Sequence, residues 1–528
     1  MSRTKIVVLA IVLIVIILAG TGYYFTQYQT ELKHQAELEA IRKTLVVGTT
    51  DRVERGIDPC TAISPAEALV FAQIVDTLYT MDPLDASKIT PRLASDFPTV
   101  SADGTAWTIP LRHDAKFHDG TPVNATAVKF SFDRCINLKG PTWDVWYGMV
   151  ASVEVVDTYT ATIHLTAPYG PYLEVLASTW NGIVSPSAVM NMGEQAFEQA
   201  PVGSGPFKFV SWSRGEEVVL QANKDYWGDV PKVDKLVIKT IQDSATLKLA
   251  LENGDVDIAT RAIAPIDMQS LKSNPNIVSS EAPGTFQQYI SFNTQRVPKE
   301  VRQAIAYAIN YDDILSRVYL GTATRALSVI PPPLLSYKPV LSKYSYDPNK
   351  AKQMLAGLGI TPDNPLHLEL MVTPSHYGPL NDPTAVVMKD NLAAVGINVD
   401  IKSAEWATFI DLWVAGSYDM LLGGWWLDWP DPDNLVWGML RSDTYIGKWS
   451  GYNNTEMDQL IFQGRAFTNL NDPQRIQVYQ RIQDIYGDDI PFLCYVNMKE
   501  IAFTRSNVHG FVEPFIPYLI DFRQVYKD

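Results

Sequence analysis

The stretch Trp107-Thr108-Ile109-Pro110-Leu111-Arg112-His113-Asp114-Ala115-Lys116-Phe117-His118-Asp119-Gly120-Thr121-Pro122-Val123-Asn124-Ala125 runs on through Val128-Lys129-Phe130-Ser131-Phe132-Asp133-Arg134. Its first five residues alternate in polarity, which is the period of a half-buried strand. Asp119-Gly120-Thr121-Pro122 reads as a turn, and Ala125 to Cys135 takes up a helical period. His113-Asp114 and His118-Asp119 are metal-ligand types, but their setting around an Asp-Gly turn favours a structural reading. Beyond them comes a hairpin about Asp157-Thr158, between Val153–Val156 and Ala161–Leu165.

Toward the N-terminus, Leu45-Val46-Val47-Gly48 reads as the first strand of a globular part. Ala66 to Thr80 shows helical periodicity. Arg3 and Lys5 precede an apolar run over 6–25, ending in Tyr23-Tyr24-Phe25. Twenty residues of helix rise about 30 Å, the thickness of a bilayer's hydrocarbon core. Basic residues before the run predict a short cytoplasmic segment (1–5) and export of the remaining chain. The run is either a retained anchor or a cleaved signal peptide, since Ala19-Gly20-Thr21-Gly22 offers small residues to a peptidase. Residues 26–44 form a polar stalk. Localisation is the external face of the cytoplasmic membrane, or the periplasm or medium if the run is cleaved.

Toward the C-terminus, strands are expected at Val218–Gln221, Leu236–Thr240 and Val256–Ala259, with a helix from Ser244 to Asn253 stopped by Gly254. Pro298 to Tyr319 is strongly helical. A β-α-β-α-β succession then runs from Leu366 to Trp425, a separate α/β lobe. The roughly 485 residues after the stalk are too many for one core.

A net charge of −15 argues against nucleic acid, which needs a concentrated basic surface. Cys60, Cys135 and Cys494 show no CxxC spacing, so no zinc or redox site is expected; the sequence does not pair them. Lipase, P-loop, zincin and dinucleotide signatures are missing. We therefore expect no catalytic residues, no metal and no cofactor. Seven of the thirteen tryptophans lie between Trp406 and Trp449. Among them stands Gly423-Gly424-Trp425-Trp426-Leu427-Asp428-Trp429-Pro430-Asp431-Pro432-Asp433. A loop of Trp and Asp at a strand's carboxyl end is how open α/β sheets build binding sites. A carboxylate among indoles is poorly solvated and favours a cationic partner. An aromatic core with Asp-Pro turns explains the same composition equally well.

The opening stretch resembles the signature region of family 5 of the extracytoplasmic solute-binding proteins, receptors of peptide-type ABC importers. Pro201–Phe207 with Asn223–Trp227, Ala250–Asp257, and Phe292-Asn293 with Val301–Ile309 agree with it in order. The resemblance implies an α/β, two-lobe periplasmic-binding-protein-like fold of the large peptide-binding class, here behind a transmembrane helix. It implies lobe I at 45–92, 200–290 and 501–528, an inserted subdomain at 93–199, and lobe II at 291–500. Ligand is enclosed as the lobes close, and a membrane permease recognises the closed form. By resemblance Asp428 takes a peptide's α-ammonium, with Trp425, Trp426 and Trp429 as cleft walls. Thr373–Pro379 holds no Arg or Lys where dipeptide receptors keep an Arg for the ligand carboxylate, which shifts the expectation to longer peptides or another solute. Oligosaccharide binding is the alternative ligand, and a hydrolase or sensor ectodomain the alternative class. A monomer is expected.

Overall fold

The computed structural model describes residues 28–33, 35, 39–53, 55–62, 64–140, 143–261, 263–332, 334–373, 377, 379–516 and 519–528. The expected membrane helix over 6–25 lies outside them. Among the described residues no helix is long and apolar enough to cross a membrane.

The strand Thr44–Thr49 pairs in parallel with Lys235–Thr240 on one side and Ile258–Thr260 on the other. Glu217–Ala222 and Phe207–Ser213 extend this half-sheet antiparallel. The helix Ser244–Asn253 begins on Asp243, whose side chain accepts from Thr246 N–H, and stops at Gly254 with φ +88°. That is the left-handed conformation for which glycine carries no Cβ penalty.

Pro65–Ile74 is helical behind a Ser64/Glu67 capping box; it ends at Ile74, whereas the periodicity runs on to Thr80. The cause is Asp76. Its buried carboxylate accepts from Arg92, Ser204, Tyr226 and Trp227, and reaching those donors takes the backbone out of the helix. The chain resumes as a strand at Tyr79–Asp82.

Residues 99–165 carry a four-stranded antiparallel sheet in the order Thr99–Val100, Ala106–Pro110, Thr160–Leu165, Val150–Asp157. The helix Ala125–Leu138 starts on Asn124, whose side chain accepts from Ala127 N–H. Cys135 of this helix is disulfide-bonded to Cys60, tying the subdomain to the loop beyond the first strand. Buried Arg134 joins the same loop by bonding Asp58, and also bonds Glu194. Cys494 is buried and unbridged.

The second lobe holds the expected succession. Leu366–Val372 lies between Ile397–Ser403 and Met420–Trp425, all parallel, with helices Asn381–Ala393 and Trp406–Val414 as the connections. The helix at Lys299–Ala308 is shorter than the Pro298–Tyr319 pattern suggests. Asn310 interrupts it, with its side chain accepting from Asp313 N–H while its own N–H donates to Asn391. An Asn side chain that offers the backbone another partner competes with the helix.

Two long antiparallel strands, Ile277–Phe292 and Phe492–Arg505, run through both halves and make one eleven-stranded sheet. Along the first, Ala282 packs in the core shared by the first half and the subdomain, and Phe286 packs in that of the second. The chain therefore crosses between cores in this short span, where the pairing register shifts.

Candidate ligand-binding cleft

The Trp-rich loop leaves the carboxyl end of Met420–Trp425, a strand buried up to Gly424. A Cβ on Gly424 would stand 2.5 Å from the Phe286 ring, and one on Gly423 2.8 Å from that of Tyr289. The two glycines thus let aromatic rings lie directly on the strand. Phe286 uses the space to stack on Trp426, with centroids 3.9 Å apart and planes 11° apart. Tyr377 extends this stack. From the first lobe, the Arg261 guanidinium comes within 5.4 Å of the Trp426 ring.

Asp428 is half-buried. Its N–H donates to Asn434 Oδ1, and its Oδ2 accepts from Asn434 Nδ2, both at 3.1 Å. Asn434 sits in the first turn of the helix Pro432–Leu440, which begins on Asp431. The Asn434 amide orients the carboxylate. The Asp428 carbonyl accepts from Ser178 of the subdomain.

Further contacts cross the cleft. Trp429 is buried and meets Trp146 of the subdomain edge to face at 5.4 Å. Tyr169 donates to Asp433 at 2.8 Å, and Gly170 N–H donates to the Arg465 carbonyl. Burial, with the Asp431 charge adding to it, pushes Glu174 up to about 8, which favours its neutral form at this interface. The lobes are closed.

Between them lies a cavity of about 430 Å³ lined by Trp425, Trp429, Asn434 and Trp437, among others. The structure therefore brings Trp425, Trp429 and the Asp428–Asn434 pair to one place. Trp426 is turned to the other side of the loop, onto Phe286. Not singled out from the sequence were Arg441 and Arg465, which also line the cavity. Trp437 and Arg441 stand four residues apart, a helical pair that could have been noticed; nothing local marks Arg465 or Tyr169. The His-Asp pairs do not line the cavity. His118 Nε2 lies 2.9 Å from the Gly205 carbonyl, and Asp119 accepts from Thr121, Ser185 and Ser187. Among the described residues, no cluster of metal-ligand types could hold an ion.

Two lobes joined by crossing strands, closed over an aromatic cavity with a charged group at its edge, define a cleft-binding receptor. Comparison with known proteins specifies which. Residues 88–446 match the family model described as bacterial extracellular solute-binding proteins, family 5, middle region. The chain belongs to this family, which is one of solute-binding proteins rather than enzymes.

The chain is 29% identical over 457 residues to the dipeptide-binding protein of Escherichia coli K12, covering 81% of this chain and 84% of that one. It is 30% identical over 423 residues to a probable D,D-dipeptide-binding periplasmic protein of the same strain, covering 78% and 80%. Among solved structures it resembles the ABC transporter-associated periplasmic binding protein DppA of Helicobacter pylori in complex with the peptide STSA. That likeness has a TM-score of 0.80 at 27% identity and covers 93% and 99% of the two chains.

Proposed function

We propose that this chain is an extracytoplasmic receptor of an ABC importer that binds peptides between its lobes and presents them to a membrane permease. The observation carrying this reading is Asp428, a half-buried carboxylate at the cleft whose side chain is held by a neutral amide. A half-buried carboxylate favours a cationic ligand, and a peptide's α-ammonium is one. Family membership and the peptide-binding names of the relatives support the choice of ligand. Trp425 and Trp429 wall the site, while Trp426 acts behind it by fixing the loop. Lobe I comprises 45–92, 200–290 and 501–528 with the subdomain 93–199, and lobe II 291–500. The crossing strands are the hinge, and ligand favours closure to the extent that it touches both sides. Mass spectrometry of ligand released from protein purified out of its native host should show peptides. Glycans in their place would overturn the peptide reading.

The apolar run 6–25 serves as a retained anchor and 26–44 as a stalk holding the monomeric receptor near its permease. In fractionated cells the full-length chain should stay with membranes through a high-salt wash. Release of a species lacking the first ~25 residues, the span needed to cross a bilayer, would show instead a cleaved signal peptide.

A further inference from the structure

The charge of the interlobe cavity is opposite to that of the chain. The protein carries a net −15, yet among the described residues that line the cavity every charged side chain is an arginine, Arg441 or Arg465. Both stack on one ring. The Arg441 guanidinium lies 3.6 Å from the Trp437 centroid and that of Arg465 lies 3.4 Å from it, so sterics put one on each face. A ring face attracts a cation, but two like charges sharing one indole repel each other.

Their carboxylate partners stand outside the lining. Arg465 lies 3.6 Å from buried Asp433, which also takes the Tyr169 hydroxyl. Arg441 bonds Asp443 through Nε, and Asp443 is 69% exposed. Among the described residues that is the one side-chain hydrogen bond Arg441 makes, and a pair with so exposed a partner is weak. The Nη edge of Arg441 is thus available to an anion entering the cavity. Guanidinium groups bind carboxylates through paired N–H donors.

Resting on the peptide reading above, we infer that this cavity is a carboxylate-recognition pocket, with Arg441 as the direct contact and Arg465 as the second positive charge, and that it selects acidic peptides. Asn434 bonds Asp428 and also lines the cavity, so the ammonium anchor and the carboxylate pocket adjoin. Trp425, Trp429 and Phe462 supply the apolar walls. The carboxylate is that of an acidic side chain; the peptide's own C-terminus offers the same chemistry and is the source the test separates from it.

The test is calorimetric binding at pH 7 to Ala-Ala-Ala, Glu-Ala-Ala, Ala-Glu-Ala and Ala-Ala-Glu, each as free acid and as C-terminal amide. At least one Glu peptide should bind tenfold or more tighter than Ala-Ala-Ala, and in R441M the two affinities should come within about twofold of each other. If the preference survives in the amides, a side chain occupies the pocket. If amidation of Ala-Ala-Ala itself brings the Arg441-dependent loss, the C-terminus does, and the selection of acidic peptides is overturned. Equal affinity for neutral and acidic peptides in the wild type, with amidation without effect, overturns the pocket and leaves the peptide reading intact. N-acetylated Glu peptides separate the two readings in the other direction. Arg441-dependent binding of these with no contribution from a free ammonium would keep the pocket and overturn the Asp428 anchor. Binding by none of the peptides overturns both.

Discussion

Replacing Asp428 by Asn should weaken peptide binding by two to three orders of magnitude while leaving the unliganded protein folded. The substitution is nearly isosteric. An amide oxygen at this position still accepts from Asn434 Nδ2, and the backbone bonds to Asn434 and Ser178 do not involve the side chain's charge. What is lost is the anion. Removing one partner of a desolvated, hydrogen-bonded charge pair costs roughly 2–5 kcal/mol, much of it because the other charge stays buried and unmet. At about 1.4 kcal/mol per decade that is on the order of 30- to several thousand-fold in Kd. Titration calorimetry with the tightest peptide gives the affinity, and thermal unfolding without peptide gives the control. An Asn variant that binds within about threefold of the wild type would show that the ammonium goes elsewhere. Asn at Asp443, which is exposed at the rim, should have far less effect, since solvent screens such a charge.

The parts of the fold that were legible in the sequence are those whose burial is apolar and periodic. Leu366–Val372, Ile397–Ser403 and Met420–Trp425 alternate with helices of clear period, and their parallel order comes from those connections. The crossing strands show the opposite case. Ile277–Phe292 contains Ser279, Ser280, Glu281, Gln287 and Gln288, a composition that hydropathy assigns to a loop. It is a strand because its polar side chains are satisfied after folding. Gln287 donates to the Ser328 carbonyl and to Asn497, and Gln288 accepts from the Tyr319 and Tyr495 hydroxyls. Those partners come from distant segments, and no local pattern announces them.

The candidate site divides in the same way. Asp428 and its tryptophans stood out by composition. The directions of the rings did not, because strand alternation ends at Trp425 and the loop's geometry is set by what it meets. Phe286 captures Trp426 and Trp146 captures Trp429. The charge of the cavity was also hidden, since Arg441 follows the end of Pro432–Leu440 while Arg465 lies in the helix Thr455–Ala466, and they meet on the two faces of Trp437.

Replacing Arg475 by Met should destabilise the second lobe by about 3–5 kcal/mol, the range for stranding one member of a buried ion pair. Arg475 and Asp431 are 0% and 3% exposed at their side chains, with Nη2 at 2.7 Å from both carboxylate oxygens. Nε also donates to the Gly464 carbonyl. A thioether fills part of the volume and leaves Asp431 without its cation, beside Asp433. At about 2–4 °C per kcal/mol for a unit of this size, the lobe's unfolding midpoint should fall by at least about 6 °C. The consequence reaches the site, because Asp431 starts the helix that carries Asn434 by accepting from Asp433 N–H. Peptide affinity should therefore fall in R475M although Arg475 does not line the cavity. A compensating R475M/D431L pair should recover much of the stability, since apolar replacement of both members removes the stranded charge. It should recover less of the affinity, since the helix start loses its cap. If R475M unfolds at the wild-type temperature, the pair is not what holds the Trp-rich loop to the body of the lobe. The orientation of Asp428 must then come from its own bonds, those to Asn434 and Ser178 among them, and not from the ion pair beneath the helix.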